Sequence, residues 1–182
     1  MSACKNQTPN HPRVGVNWHE AMAFCRWLSE RLKQPVTLPS EAQWERAARH
    51  TDGRTYPWSD PGEEDRLAAD MAQRCNMEGT GIGHTSAVGL FLNGLAQCGA
   101  ADMAGNVWEW CRTKWRGDYR DYEKKVDAAL EGAESRVLRG GSWGNDLPGG
   151  LRCSCRNVSA PGPRGRSYGF RCVVVVGGSA PG

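Results

Sequence analysis

The stretch Leu38-Pro-Ser-Glu-Ala-Gln-Trp-Glu-Arg-Ala-Ala-Arg49 contains the strongest helix signal in the chain. Ser40 and Gln43 form a capping box, in which each side chain accepts a hydrogen bond from the backbone N–H of the other residue. The pattern predicts a helix that begins after Ser40, continues through Trp44 and ends near His50.

A second capping box lies upstream, where Asn17 is followed by Glu20 at the third helical position. Apolar residues then recur at spacings of three and four, which is the period of one helix face. These residues are Ala21, Cys25, Leu28 and Leu32. The two capping boxes together predict two helices in the first third of the chain.

The rest of the chain has few regular elements. Residues 51–99 are broken by Gly, Pro and Asp and predict an ordered loop, and residues 122–130 favour a surface helix. Strands are predicted at 136–139 and at 170–176, where β-branched residues cluster. Two helices, few strands and long loops indicate an α+β fold.

The composition fits one globular domain. The chain has 182 residues, of which 39% are hydrophobic and 24% charged, and its net charge is +3. This charge is too small to indicate a nucleic-acid partner, and the sequence has no apolar run of membrane-spanning length. The 8 Trp, 23 Gly and 10 Pro residues favour a loop-rich fold with aromatic anchors over a long helical bundle. We expect a flexible lead-in at 1–12, a domain at 13–178 and a tail at 179–182.

The cysteines do not follow the spacing of a zinc site. There are eight, and none of them forms a Cys-x-x-Cys pair. The first residues contain no apolar stretch of a secretory signal, which predicts a cytoplasmic protein with reduced thiols. Most of the cysteines are therefore expected to be buried or unpaired.

Seven spaced motifs, in one order, resemble the formylglycine-generating enzyme (sulfatase-modifying factor) family over residues 11–176. The resemblance implies a C-type-lectin-like fold. The family's N-terminal signals are not in this sequence, which is therefore either a shortened version or the C-terminal part of a longer protein. The motifs are Val14–Trp18, Ala23–Leu28, Leu38–Arg49, Tyr56–Trp58, Asp102–Trp110, Arg139–Trp143 and Gly169–Cys172.

The resemblance does not extend to the family's catalytic thiols. Enzymes of this family oxidise a substrate cysteine with two copper-binding cysteines, which lie a few residues after the Gly-Gly-Ser-aromatic motif. The matching stretch, Gly144–Leu151, contains no Cys, and copper(I) needs soft thiolate ligands. Oxidase activity is therefore disfavoured. The resemblance also matches Cys25 and Cys172 to a family disulfide, whereas Ala48 stands where the partner of Cys153 would be.

The last quarter more closely resembles the variable region of proteins diversified by diversity-generating retroelements. In these systems Asn codons are replaced through template adenines, which cannot produce Lys, Glu, Gln, Met or Trp. Residues 144–168 contain none of these five types, although the other 157 positions contain 34 of them. By composition alone, this absence has a chance of about two in a thousand. The alternative is a Gly/Pro/Ser-rich loop that is poor in long polar side chains.

A diversified site must tolerate many side chains, so its positions cannot contribute to a close-packed core. Arg139 and Arg171 are expected to brace the loop, and Tyr168 and Arg166 to be the energetic anchors for a ligand. Six Arg against one Asp in residues 139–171 favour a partner with an acidic face. By analogy with the variable proteins, the ligand-facing positions are Gly144, Asn145, Asp146, Gly149, Gly150, Cys155, Asn157, Ser159, Ala160, Gly162, Gly165, Arg166, Ser167 and Tyr168.

The fixed anchors of this region are expected to be Trp143, Leu151, Phe170 and Val173–Val176. These large apolar side chains can hold the backbone in place without taking part in display.

The resemblance also implies a calcium ion at the Gly-Asn-x-Trp-Glu motif. Its ligands would be the side chains of Asp102 and Glu109 and the carbonyl groups of Gly105 and Val107. Two carboxylates with backbone carbonyls suit a hard cation. In the alternative interpretation, both acids bind loop amides and the neighbouring tryptophans fill the core.

The sequence thus favours a non-catalytic module that displays variable residues at 139–172 to a protein or cell-surface partner. A copper-dependent cysteine oxidase and a purely structural accessory domain are the alternatives. Copper binding with oxygen consumption would favour the oxidase, whereas indifference to changes at 144–168 would favour the structural domain.

Overall fold

The computed structural model describes residues 8–60, 68–119, 130 and 132–176. The helix predicted at 122–130 falls outside these ranges except for its last residue. The first seven residues of the lead-in and the tail at 179–182 also fall outside them.

Both predicted helices are present, with the predicted starts. The first, α1 (Trp18–Leu32), begins at Asn17, whose side chain accepts a hydrogen bond from Glu20 N–H while the Glu20 carboxylate accepts one from Asn17 N–H. The second, α2 (Glu41–Arg49), begins at Ser40 with the equivalent exchange to Gln43. Local capping chemistry was therefore sufficient to place both helix starts.

Short helical turns interrupt the long loop between α2 and the sheet. They comprise α3 (Ala68–Met71) and single 3-10 turns at Glu78–Thr80 and Leu92–Gly94. A further 3-10 turn lies at Pro148–Leu151. None of the helices within the described ranges is long and apolar enough to cross a membrane.

The main sheet has four strands in the order β4-β3-β2-β5. Its central pair is β2 (Trp108–Lys114) and β3 (Arg136–Arg139), which run antiparallel. The edges are β4 (Arg156–Ser159), antiparallel to β3, and β5 (Tyr168–Gly169), parallel to β2. The strand at 136–139 was predicted, whereas the other three were not.

A second, two-stranded sheet pairs β1 (Val36–Thr37) with β6 (Val173–Val174). The strand predicted over 170–176 is therefore two residues long. Val174 is 47% exposed and Val176 is 94% exposed, so neither is the fixed anchor that the sequence predicted. A run of β-branched residues predicts an extended backbone. The run is hydrogen-bonded as a strand only where a partner strand lies beside it, and β1 offers two residues.

The two helices cover opposite faces of the main sheet. Trp18 from α1 packs with Trp110 and Leu138 in one buried cluster. Trp44 from α2 packs with Cys111 and Val137 in another. The strand residues alternate between the two clusters because successive side chains point to opposite faces.

The apolar stripe predicted on α1 is buried only along its first half. Ala21 and Cys25 are fully buried, whereas Leu28 is half-buried and Leu32 is 52% exposed. The second half of the helix packs beside β1, where the Ser29 hydroxyl donates a hydrogen bond to the Val36 carbonyl (3.0 Å).

Candidate functional site

The segment 139–172 wraps around the start of α1. It begins at the end of β3, forms β4, and then returns to β5 on the opposite edge of the sheet. On the way, the Pro161 carbonyl accepts a hydrogen bond from Trp18 N–H (3.1 Å) and the Gly165 carbonyl accepts one from Gly15 N–H (3.2 Å). The candidate ligand-binding region is therefore hydrogen-bonded to the start of α1, where Trp18 packs in a buried cluster.

None of the fourteen predicted ligand-facing positions is buried. A surface that tolerates many side chains requires this, since core positions respond to volume changes of one methylene. The exposed positions are Gly144, Asp146, Gly149, Ala160, Gly162 and Arg166. The half-buried positions are Asn145, Gly150, Cys155, Asn157, Ser159, Gly165, Ser167 and Tyr168.

Some of the half-buried positions pack against the scaffold. The Tyr168 ring meets Trp110 edge-on, with centroids 5.5 Å apart, and Cys155 packs against the same core cluster. Strand pairing places Asn157 opposite Leu138, on the sheet face that α1 covers. These positions lie where the candidate surface meets the core. Tyr168 therefore packs against the core as well as facing solvent.

Two pairs of predicted positions constrain each other. The Asn145 Oδ1 accepts a hydrogen bond from Ser142 N–H (2.8 Å), and a Cβ atom added at Gly150 would overlap the Asn145 amide. A Cβ atom at Gly165 would likewise overlap the Tyr168 ring. Sequence reasoning missed both constraints, because each depends on contacts between residues that are not neighbours in the chain.

Arg139 holds part of the backbone of the 139–172 segment in place from the interior of the domain. Its side chain is fully buried and donates hydrogen bonds to the carbonyl groups of Cys153 (2.6 Å), Ser154 (3.1 Å) and Cys155 (2.8 Å). It also forms an ion pair with Glu45 on α2 (2.6 Å). The bracing role that the sequence suggested for Arg139 is confirmed.

The arginines of the region are largely committed within the fold. Arg156 pairs with the buried Glu41 (2.6 Å), and Arg164 pairs with Glu20 (2.6 Å). Together with Arg139 and Arg171, four of the six arginines therefore have carboxylate partners. The count of positive residues consequently overstated the free positive charge, and the argument for an acidic partner is correspondingly weaker.

Arg166 lies at the exposed end of the region. Its guanidinium carbon is 5.1 Å from the centroid of the Trp143 ring, a distance typical of cation–π contacts. Trp143 is half-buried, so this pair presents one planar cation and one aromatic ring at the surface.

The acids of the predicted calcium site are both engaged by the fold. The Glu109 carboxylate accepts hydrogen bonds from Trp44 Nε1 (2.7 Å) and from the Arg171 guanidinium. One oxygen of Asp102 accepts a hydrogen bond from Gly89 N–H (2.8 Å). Burial raises the pKa of Asp102, and the nearby Arg171 only partly offsets this effect. Two carboxylates thus face one guanidinium.

The donor set fits a calcium ion in part. The turn at Gly105 and Asn106 has positive φ angles (76° and 63°), and a Cβ atom at Gly105 would overlap the Asn76 carbonyl. The second oxygen of Asp102 and the carbonyl of Val107 are suitable oxygen donors, whereas the Gly105 carbonyl already accepts a hydrogen bond from Val107 N–H (2.9 Å). Within the described ranges, no group of three or more His, Cys, Asp or Glu is arranged to hold a metal ion.

Cys153, one of the two thiols nearest to the catalytic position of the family, is held in the core. Cys153 is buried, its sulfur lies 3.4 Å from the Ala48 carbonyl, and burial raises its pKa to about 12. Ala48 is the position where the resemblance placed the missing partner of Cys153. The sulfurs of Cys25 and Cys172, in contrast, are 3.7 Å apart, as the family disulfide implied.

The sequence is similar to proteins of one known family. The profile of the Sulfatase-modifying factor enzyme 1-like domain family matches residues 2–176. The formylglycine-generating enzyme of Thermomonospora curvata is 35% identical, over 90% of this chain and 55% of its own length. This chain therefore spans about half the length of the bacterial formylglycine-generating enzymes that it matches.

Solved structures show the same fold. PvdO from Pseudomonas aeruginosa has a TM-score of 0.78 and 31% identity, and the match covers 93% of this chain and 64% of PvdO. Treponema denticola variable protein 1 has a TM-score of 0.73 and 24% identity, covering 93% of this chain and 73% of that protein. This chain belongs to the sulfatase-modifying factor enzyme 1-like domain family and has its C-type-lectin-like α+β fold.

Proposed function

We propose that this chain is a non-catalytic ligand-binding module, whose residues 139–172 display a retroelement-diversified surface to a protein or cell-surface partner. The proposal rests on one observation: the positions that would contact a ligand are separate from the residues that hold the loop in place. All fourteen candidate positions lie at least partly in solvent, while the buried Arg139 holds the backbone of Cys153, Ser154 and Cys155 in the middle of the region. Side chains at the exposed positions can then change without changing the shape of the loop, whereas Asn145, Gly150, Gly165 and Tyr168 constrain one another and belong to the support.

The proposal is tested by comparing two libraries within the same region. The first randomises the exposed positions Asp146, Gly149, Ala160 and Arg166. The second randomises the mutually constrained positions, which are Asn145, Gly150, Gly165 and Tyr168. We expect most members of the first library to fold, and few members of the second, since even an added methyl group at the two glycines meets a side chain.

Folding is measured by protease resistance on a display platform. Binders to an immobilised test protein should then arise from the first library. Equal folding of the two libraries, or failure of both, would contradict the separation of display from support. The retroelement itself is tested in genomic DNA, where a near-copy of the segment encoding 139–172 should lie beside a reverse transcriptase gene and differ at template adenines.

The alternative function is a copper-dependent cysteine oxidase. The proposal predicts that the purified protein does not bind copper(I) stoichiometrically and does not consume oxygen with a cysteine-containing peptide. Residues 144–151 offer no thiolate, and the high pKa of Cys153 keeps its thiol protonated at neutral pH. Copper(I) titration with an oxygen electrode makes the measurement, and activity in both assays would replace this proposal with the oxidase.

A structural calcium ion is proposed at Asp102 and Glu109, with the Gly105 and Val107 carbonyls. It would neutralise the carboxylate charge that Arg171 leaves uncompensated. At saturating calcium we expect the melting temperature to rise by about 5 °C, and EGTA should reverse the rise.

The matched control for calcium is Asp102→Asn, which keeps an oxygen to accept the Gly89 N–H but removes the charge. This variant should lose the response to calcium while retaining its fold. A calcium response that is unchanged in Asp102→Asn would place the ion elsewhere, and no response in the wild type would remove the site.

A further inference from the structure

One face of α1 carries an exposed row of four side chains that the ligand-binding surface does not use. Glu20, Phe24, Trp27 and Arg31 follow at intervals of four, three and four residues. At 3.6 residues per turn, this spacing keeps all four within an arc of about 60°. The row reads acid, aromatic, aromatic, base along the helix.

The two aromatic side chains form a continuous apolar patch in solvent. Phe24 is 42% exposed and Trp27 is 50% exposed. Their ring centroids are 5.4 Å apart, and Phe170 extends the patch at 5.5 Å from Phe24. Exposed aromatic clusters of this kind are typical of interaction sites, since such residues bury large areas at interfaces.

Charges close the row at both ends. The Arg31 guanidinium lies 5.7 Å from the Trp27 ring centroid, at the C-terminal end of the helix. Glu20 lies in the first turn, where it accepts hydrogen bonds from Arg164 and completes the capping box. The distance between the two ends is 11 residues, or about 16 Å along the helix axis.

When two copies of this row lie antiparallel, the acid of each copy is opposite the base of the other. We infer that α1 docks antiparallel against α1 of a second copy of this chain, in a two-fold symmetric dimer centred between Phe24 and Trp27. Each Glu20, which pairs with Arg164 of its own chain and stays 44% exposed, then also faces the partner's Arg31. The aromatic patches of the two copies cover each other. A two-fold interface requires this kind of self-complementarity, because the same patch serves both subunits.

The dimer goes beyond the proposed function, and its consequence is avidity. Two copies would present two ligand-binding surfaces, and binding of the second to an array of partners becomes intramolecular. The contact area is that of one 15-residue helix face with Phe170 at its side, which is small for a stable complex. We therefore expect a weak association, which is measured at protein concentrations between about 10 µM and 1 mM.

Analytical ultracentrifugation of the full chain tests the inference. The wild type should shift from monomer to dimer as concentration rises, and Trp27→Ser should remain a monomer throughout the range. The matched control is Leu92→Ser, which removes an even more exposed apolar side chain (73%) from another part of the chain and should still dimerise. Melting temperatures confirm that the variants are folded.

A charge exchange tests the antiparallel geometry. Arg31→Glu alone places acid against acid, and Glu20→Arg alone places base against base, so each variant should be monomeric. An equimolar mixture of the two should form a heterodimer, in which both end pairs are again opposite in charge. A wild type that stays monomeric, a dimer that survives Trp27→Ser, or a mixture that fails to associate would overturn the inference.

Discussion

Arg139→Met is expected to lower the free energy of unfolding by about 3–5 kcal/mol. The substitution leaves the carbonyl groups of Cys153, Ser154 and Cys155 without their buried donor, and it removes one of the two arginine partners of Glu45. Breaking a buried network from one side is costly because the remaining polar groups stay desolvated. Chemical denaturation with urea measures the loss.

Arg166→Ala is the matched control for this prediction. Arg166 is exposed and its guanidinium stacks on Trp143, so its removal should cost less than about 1 kcal/mol. Comparable losses in the two variants would mean that the surface and its support are not separate. That result would also remove the physical basis of the proposed ligand-binding function.

The two helices could be predicted from sequence because their signals are local. In each capping box, the interacting residues are three positions apart, and nothing else in the chain is needed to form them. The exposure of the ligand-facing positions could also be anticipated, since a site that tolerates many side chains cannot lie in a close-packed core.

The central strand β2 was not predicted, and its sequence explains why. Within Trp108–Lys114, the buried residues include Glu109 and Lys114, which in isolation suggest a solvent-exposed segment. Their burial depends on Arg171 and Glu134, which lie 62 and 20 positions away. Residues that become buried only through distant ion pairs give no local signal.

The same reason limits what sequence reveals about the candidate sites. The family motif supplied the two acids of the calcium set, but the Arg171 guanidinium beside Glu109 emerged only from the folded chain. Likewise, six arginines in residues 139–171 suggested a positive surface, and the structure pairs four of them with acids. A count of charged residues includes those that pair within the fold, whereas a binding partner interacts mainly with the charges that remain unpaired.

Oxidation of Cys25 and Cys172 to a disulfide is expected to raise the free energy of unfolding by about 3–5 kcal/mol. The two residues are 147 positions apart, and their sulfurs are already 3.7 Å from each other. A cross-link between such distant positions removes much of the conformational freedom of the unfolded chain. Urea denaturation of the oxidised and reduced forms measures the difference, and Cys98→Ser in both forms removes a thiol that is exposed.

The order of the two thiols in this reaction follows from their environments. Cys25 is fully buried, and its hydrogen bond to Cys172 raises its pKa while lowering the pKa of Cys172. The Cys172 thiolate should therefore attack oxidised glutathione first and release one glutathione thiolate. Cys25 then loses its proton to solvent and displaces the second glutathione, which closes the disulfide.

The pH dependence and a serine variant separate these steps. Because Cys172 attacks as the thiolate, the rate of the first step should rise with pH until Cys172 is fully ionised. In Cys25→Ser the reaction should stop at a mixed disulfide on Cys172, visible by mass spectrometry, with no gain in stability. If Cys172→Ser instead accumulated glutathione on Cys25, the buried thiol would be the nucleophile and the assigned order would be wrong.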